Sequence, residues 1–191
     1  SSSLYFSLGN ALSTSSIGLH VLNAMRCRDG VVMPEQVINL MASVLFCNIG
    51  IIKGVLEDDD GENQKISSDK PVSVDNTHTD SSMWSYKAFR SKKFIQDISF
   101  LDTNTNFKIV SRAIEYADFF GATPLDNVAV DETAKYVRAI QIISLMSDNN
   151  YDRKLVEVYL SAKESGLIDE KIFKNLAEFR EKWVHYFWER L

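Results

Sequence analysis

The chain has 191 residues, 45% hydrophobic and 11% aromatic, enough apolar surface for one sizeable core and a single domain over 1–191. A net charge of −5 argues against broad binding along a phosphate backbone, which requires a basic face, so nucleic acid is not an expected partner. No basic n-region precedes an apolar stretch, and no uncharged apolar run is read as approaching about 18 residues, so neither a signal peptide nor a membrane span is expected.

The first segment opens irregular and is predicted to turn helical near Ser13, an acceptable N-cap, with Ile17, Val21, Leu22 and Met25 on one face and Asp29-Gly30 at its end. Pro34 suits the first turn of a second helix, and Glu35 is favourable at its positive end. Val37, Leu40, Met41, Val44 and Leu45 share one helical face, which reads as a buried helix at the centre of the fold. That helix delivers Cys47 and Asn48, followed by Ile49 and by Gly50, predicted to close it in the left-handed conformation. Cys27 and Cys47 are expected to be reduced thiols, which points to a soluble protein of an intracellular compartment, with an organelle left open.

Beyond Gly54 the chain loses periodicity and becomes rich in small polar residues, so a long loop is predicted over about 57–82. Its acidic run, Glu57 to Asp60, matches no calcium-loop spacing and is read as solvated. His78 has no ligand spacing to another His or Cys and is given no role. Trp84 and Tyr86 then precede a helix carrying Phe89, Phe94 and Ile95, with Arg90 placed to pair with a carboxylate. Phe107, Val110, Ile114 and Ala117 mark the next helix, which ends at Gly121 before a Thr123-Pro124 turn.

Another helix is predicted from about Asp131, running through Ser147-Asp148 into Asn149, and one more on Leu155, Val156, Tyr159 and Leu160, ending near Gly166. The last carries Ile172, Phe173, Leu176, Phe179, Trp183 and Phe187, with Tyr186 and Trp188 beside that stripe. Trp183, Tyr186, Phe187 and Trp188 read either as a helix buried on several sides or as an aromatic patch that docks a protein partner. The sum is an all-α bundle of about six or seven helices with one long polar loop.

Three stretches carry a resemblance. Cys47-Asn48-Ile49-Gly50 ends the central helix; Thr79, Asp80, Trp84, Tyr86, Arg90, Lys92 and Phe94 follow the loop; Met146, Ser147, Asp148, Tyr151, Arg153, Lys154 and Leu155 follow a later helix. Their order and spacing resemble the HD superfamily of metal-dependent phosphohydrolases, in particular a bacterial subgroup, over about Leu12 to the C-terminus. The resemblance implies a helical bundle in which imidazoles and carboxylates hold a divalent metal that activates water against a phosphate ester. At the positions it assigns to those ligands stand Ser13, Ile17, Cys47, Asn48 and Gln141. Neutral amides are poor ligands for transition metals, and one thiol without an imidazole completes no usual set. Asp80, Tyr86, Arg90, Asp148 and Tyr151 keep the family-like residue types. The resemblance thus implies a lost metal site, no catalytic residue and no cofactor.

Three functional classes are consistent with this. The leading one is a catalytically inactive domain retained as a structural or protein-interaction subunit of a larger assembly. The second is a sensor that holds a nucleotide or other small ligand in the old pocket without hydrolysing it. The third is an enzyme rebuilt around Cys47 as nucleophile, with His20 or His185 as base. A closed site at Cys47, Asn48 and Gln141 with an exposed aromatic face elsewhere favours the first, and a basic open pocket there favours the second.

Overall fold

A computed structural model describes residues 5–61, 63–67, 71–74, 77–118, 120, 131–169 and 171–190. Its helices are α1 (Leu8–Asp29), α2 (Pro34–Phe46), α3 (Lys87–Asp97), α4 (Ser99–Asn104), α5 (Phe107–Tyr116), α6 (Glu132–Met146), α7 (Tyr151–Glu164) and α8 (Leu176–Arg190). With the six-residue α4 set apart, seven helices among the described residues make an all-α bundle.

α1 begins five residues before Ser13: the Ser7 hydroxyl accepts the backbone N–H of Asn10 at 3.3 Å, so Ser7 is the N-cap and Ser13 lies inside the helix. Gly30 closes α1 at φ 79°, its N–H donating to the Arg26 carbonyl. α2 packs against α1, α5 and α6, burying Asn39, Leu40, Ala42, Ser43 and Val44, while Leu45 faces outward. The predicted left-handed close at Gly50 is not what forms. Cys47 caps α2, a 3₁₀ turn runs Ile49–Ile51, and Gly50 has no positive φ. Glycine is required there for approach, because a Cβ would lie 2.4 Å from the Lys87 carbonyl oxygen and 2.5 Å from the Ser91 nitrogen.

The window Pro34–Ile51 corrects the expectation that no apolar run nears membrane-spanning length: its 18 residues have a mean hydropathy of 1.2. Within the bundle 44% of it is buried, and the helix breaks at Cys47, which is the behaviour of a core helix.

The long polar stretch is more built than predicted. Two three-residue strands, β1 (Asn63–Lys65) and β2 (Pro71–Ser73), pair antiparallel with Gln64 opposite Val72. A 3₁₀ helix, Asp80–Tyr86, follows, N-capped by Thr79. Asp59, assigned above to a solvated run, has a fully shielded side chain locked to Arg90.

Two apolar clusters fill the bundle. One joins Leu22, Met25, Leu40 and Val44 to Ile95, Val110, Ile114, Val137 and Ile140. The other is aromatic and joins Tyr5, Trp84, Phe120, Tyr159, Phe173, Phe179 and Trp183. α8 starts at Leu176, so Ile172 and Phe173 precede it; Phe173 is buried and Ile172 exposed. Trp183 is 2% exposed against Phe120 and Phe179, which removes it from the predicted docking patch, whereas Trp188 is 66% exposed. The side chains of Tyr186 and Phe187, and the predicted Gly121 and Thr123-Pro124 turn, lie outside the described residues.

Candidate functional site

The end of α2, the start of α3, the end of α5 and the middle of α6 converge on one buried polar group. Cys47 and Asn48 leave α2 side by side, and Gln141 reaches them from α6. The Asn48 amide donates to Gln141 Oε1 at 3.1 Å, and the Gln141 amide donates to Cys47 Sγ at 3.1 Å. The Cys47 thiol points to the Val44 carbonyl at 3.5 Å. Three of the five positions singled out in the sequence are thus one hydrogen-bonded unit. Ser13 joins one turn away, accepting from the Ser144 hydroxyl at 3.0 Å, and Ile17 packs on the aliphatic cluster as an apolar contact.

Two residues that the sequence reading did not select complete the unit. Lys87, 2% exposed, donates to Asn48 Oδ1 at 3.3 Å and lies 3.6 Å from Asp118 Oδ1. Its ammonium also sits 5.9 Å from the Phe6 ring centre and 5.7 Å from that of Trp84, both within cation–π range. Asp118 in turn accepts the Trp84 indole N–H at 3.3 Å and the Phe120 backbone N–H at 3.4 Å. The signal for Lys87 was present, since it is a charged residue at the i+3 position of the buried stripe Trp84, Lys87, Ser91, Ile95. Asp118, inside the run Tyr-Ala-Asp-Phe-Phe, carried a weaker one.

Burial pushes the Cys47 thiol up to about 11, with the nearby Lys87 charge acting against that rise. The site therefore offers a protonated thiol, two amides, one carboxylate and an ammonium. A divalent metal does not fit this set, because the ammonium already claims the carboxylate and an amide oxygen, and no imidazole takes part. His20, His78 and His185 are all exposed, so none of them pairs with the buried Cys47. Among the described residues no three His, Cys, Asp or Glu side chains are grouped to hold a metal.

The other residues singled out in the sequence, Arg90, Asp80, Asp148, Tyr151 and Tyr86, lie in structural roles. Arg90 donates from Nε to the Gly50 carbonyl at 2.6 Å, to the Lys65 and Ile52 carbonyls at 2.8 Å each, and to both Asp59 oxygens at 2.9 Å. Asp80 accepts the Lys53 backbone N–H at 3.4 Å. Asp148 caps the turn into α7 by accepting from the Asn150 N–H at 2.7 Å. Tyr151 packs on the aromatic cluster, where burial raises its phenol above the ordinary value, and Tyr86 is half-buried at the start of α3.

Beside Asn48 a cleft of about 230 Å³ opens between the N-terminal turns of α1 and the end of α2. Its walls are mostly apolar: Phe6, Leu8, Ala11, Val44, Leu45, Ile49 and Ile52. The family model described as Npun_R2479-like matches residues 1–191. The chain belongs to the Npun_R2479-like family. No curated protein and no solved structure matches it.

Proposed function

We propose that this chain is a catalytically inactive HD-phosphohydrolase-like domain that serves as a structural or protein-interaction subunit of a larger assembly. The observation that carries the reading is the hydrogen-bonded run Cys47, Gln141, Asn48 and Lys87, in which three of the five positions that the resemblance assigns to metal ligands are satisfied by one another and by a lysine. Asn and Gln at such positions keep their hydrogen bonds without a cation, whereas unpaired buried carboxylates would be costly. The cleft beside Asn48 is apolar and smaller than the roughly 300–1,000 Å³ of ordinary ligand pockets, which weighs against a nucleotide sensor.

Support for an interaction role comes from the outside of α1. Leu8, Leu12 and Leu19 lie within a narrow arc of that helix, each more than half exposed, and Leu45 and Ile52 continue the apolar surface across the cleft. Trp188 adds an exposed aromatic side chain on α8. The free thiols of Cys27 and Cys47 agree with a reducing compartment.

The test has two arms. The full-length protein, tagged at its native level, is expected to co-purify with a defined partner in fixed stoichiometry, and Leu12→Asp with Leu19→Asp to release that partner without changing the melting temperature. The same protein, and its Cys47→His, Asn48→Asp form, are expected to show no turnover of phosphomonoesters, cyclic dinucleotides or nucleoside phosphates with added manganese. Turnover by either form would sink the inactive-domain reading; a protein that is recovered alone from its native source would sink the subunit role.

A further inference from the structure

Lys87 and Asp118 are buried or nearly so, and the packing of α3 on the 3₁₀ turn Ile49–Ile51 brings the ammonium to the polar end of α2. An ammonium removed from water is tolerated only where oxygens and ring faces replace its hydration. Here Asn48 Oδ1, Asp118 Oδ1 and the rings of Phe6 and Trp84 surround it. Each of those groups is also what a cation at this place would need. The indole and backbone N–H groups on Asp118 fix the carboxylate so that it faces Lys87.

We infer that the Lys87 ammonium is the resident cation of this site, holding Asn48 and Asp118 together at the position where the proposed HD likeness implies a divalent metal, and shutting that metal out. The inference rests on that likeness for the meaning of the position, and on the geometry for the cation. Two positive charges a few ångströms apart in a poorly hydrated interior repel far more strongly than they would in water. Lys87 therefore acts as a plug as well as a brace. Replacing it with a neutral side chain frees the Asp118 carboxylate, and an aspartate at 48 then supplies a second one.

The full chain carrying Asn48→Asp, with and without Lys87→Met, is titrated with Mn²⁺ and with Zn²⁺ by calorimetry in metal-free buffer. The form that also carries Lys87→Met is expected to bind at least about tenfold tighter than Asn48→Asp alone. Equal affinity in the two forms overturns the inference, as does stoichiometric metal in the wild-type protein with Lys87 in place. Should the double variant not fold, wild-type protein labelled with ¹⁵N-lysine decides. A protected ammonium signal that vanishes in Lys87→Met and shifts in Asp118→Asn is expected. Failure to observe one, or a signal indifferent to Asp118, overturns it. Metal binding independent of Lys87 would leave the subunit role standing, whereas phosphatase turnover would remove that role and leave the Lys87 result to be judged on affinity alone.

Discussion

One turn of α3 carries two buried cations, and they serve opposite purposes. Arg90 spends all five guanidinium donors on fixed oxygens: three backbone carbonyls and both oxygens of Asp59. Three residues earlier, Lys87 meets one amide oxygen, one carboxylate oxygen and two ring faces. The planar fork of an arginine suits a joint in which several strands of backbone must be held at set angles. A lysine is a point charge, and it suits a spot that needs charge more than direction. Arg90 thus ties the hairpin region and the 3₁₀ turn to α3, while Lys87 fills a polar hole.

The largest effect should come from breaking the clamp. Arg90→Met leaves the Asp59 carboxylate buried without its partner and is expected to cost about 3–5 kcal/mol in urea unfolding. Arg90→Lys should recover little of that, since one ammonium cannot replace five directed donors. A loss below about 1 kcal/mol would show that the hairpin region is not held by this residue. Acid sharpens the same point. Burial opposes ionisation of Asp59, but the Arg90 guanidinium and the Lys65 and Leu56 N–H groups outweigh it and hold the carboxyl below its ordinary value. A depressed carboxyl contributes stability that is present above the unfolded value and lost as the pH falls through the folded one. Asp59→Asn should therefore flatten the acid limb of the stability curve below about pH 4, and an unchanged limb would place the acid sensitivity elsewhere.

Gly50 sits where the two cation sites share backbone, and Gly50→Ala tests the approach itself. A Cβ at 2.4 Å from the Lys87 carbonyl oxygen cannot be relieved by turning a side chain, so about 1–3 kcal/mol should be lost. Asn48→Leu is expected to lose a similar or smaller amount, about 1–3 kcal/mol, by leaving Gln141 and Lys87 with unmet hydrogen bonds. Melts indistinguishable from the parent would mean that Asn48 is solvated.

The bundle and the central helix were legible because Leu40 and Val44, like Leu155 and Tyr159, repeat at helical spacing, and a repeat is a local property. Cys47, Asn48 and Gln141 were named together only through the resemblance to the HD superfamily, because no local pattern ties the end of α2 to the middle of α6. Lys87 and Asp118 escaped because their meaning is set by what they touch across the fold, 39 and 31 residues apart from their partners. Asp59 was misread for the same reason: an acidic run looks solvated until its partner, Arg90, is brought to it by tertiary packing. Gly50 was credited with a turn because a glycine after a helix usually makes one, while the clash that demands it lies on another helix.

The smallest expected effect concerns the thiol that closes the network. Cys47 accepts one amide N–H and packs without solvent, so Cys47→Ala should cost about 1 kcal/mol, less than the truncation of a large aliphatic side chain. Its signature is a pH dependence. The folded thiol, pushed up to about 11 by burial, stays protonated where the thiol of the unfolded chain, near 9, has already ionised. The contribution is complete below about pH 9 and is lost as the pH rises toward 11, so stability falls across that window. In Cys47→Ala the fall over pH 9–11 should be shallower than in the parent, whatever the other groups contribute, because they are common to both. Alkylation gives the independent check: iodoacetamide at pH 8 should label exposed Cys27 and spare Cys47 until denaturant is added. Equal labelling of the two thiols in the native protein would mean that Cys47 is open to solvent, and the closed network around it would have to be redrawn.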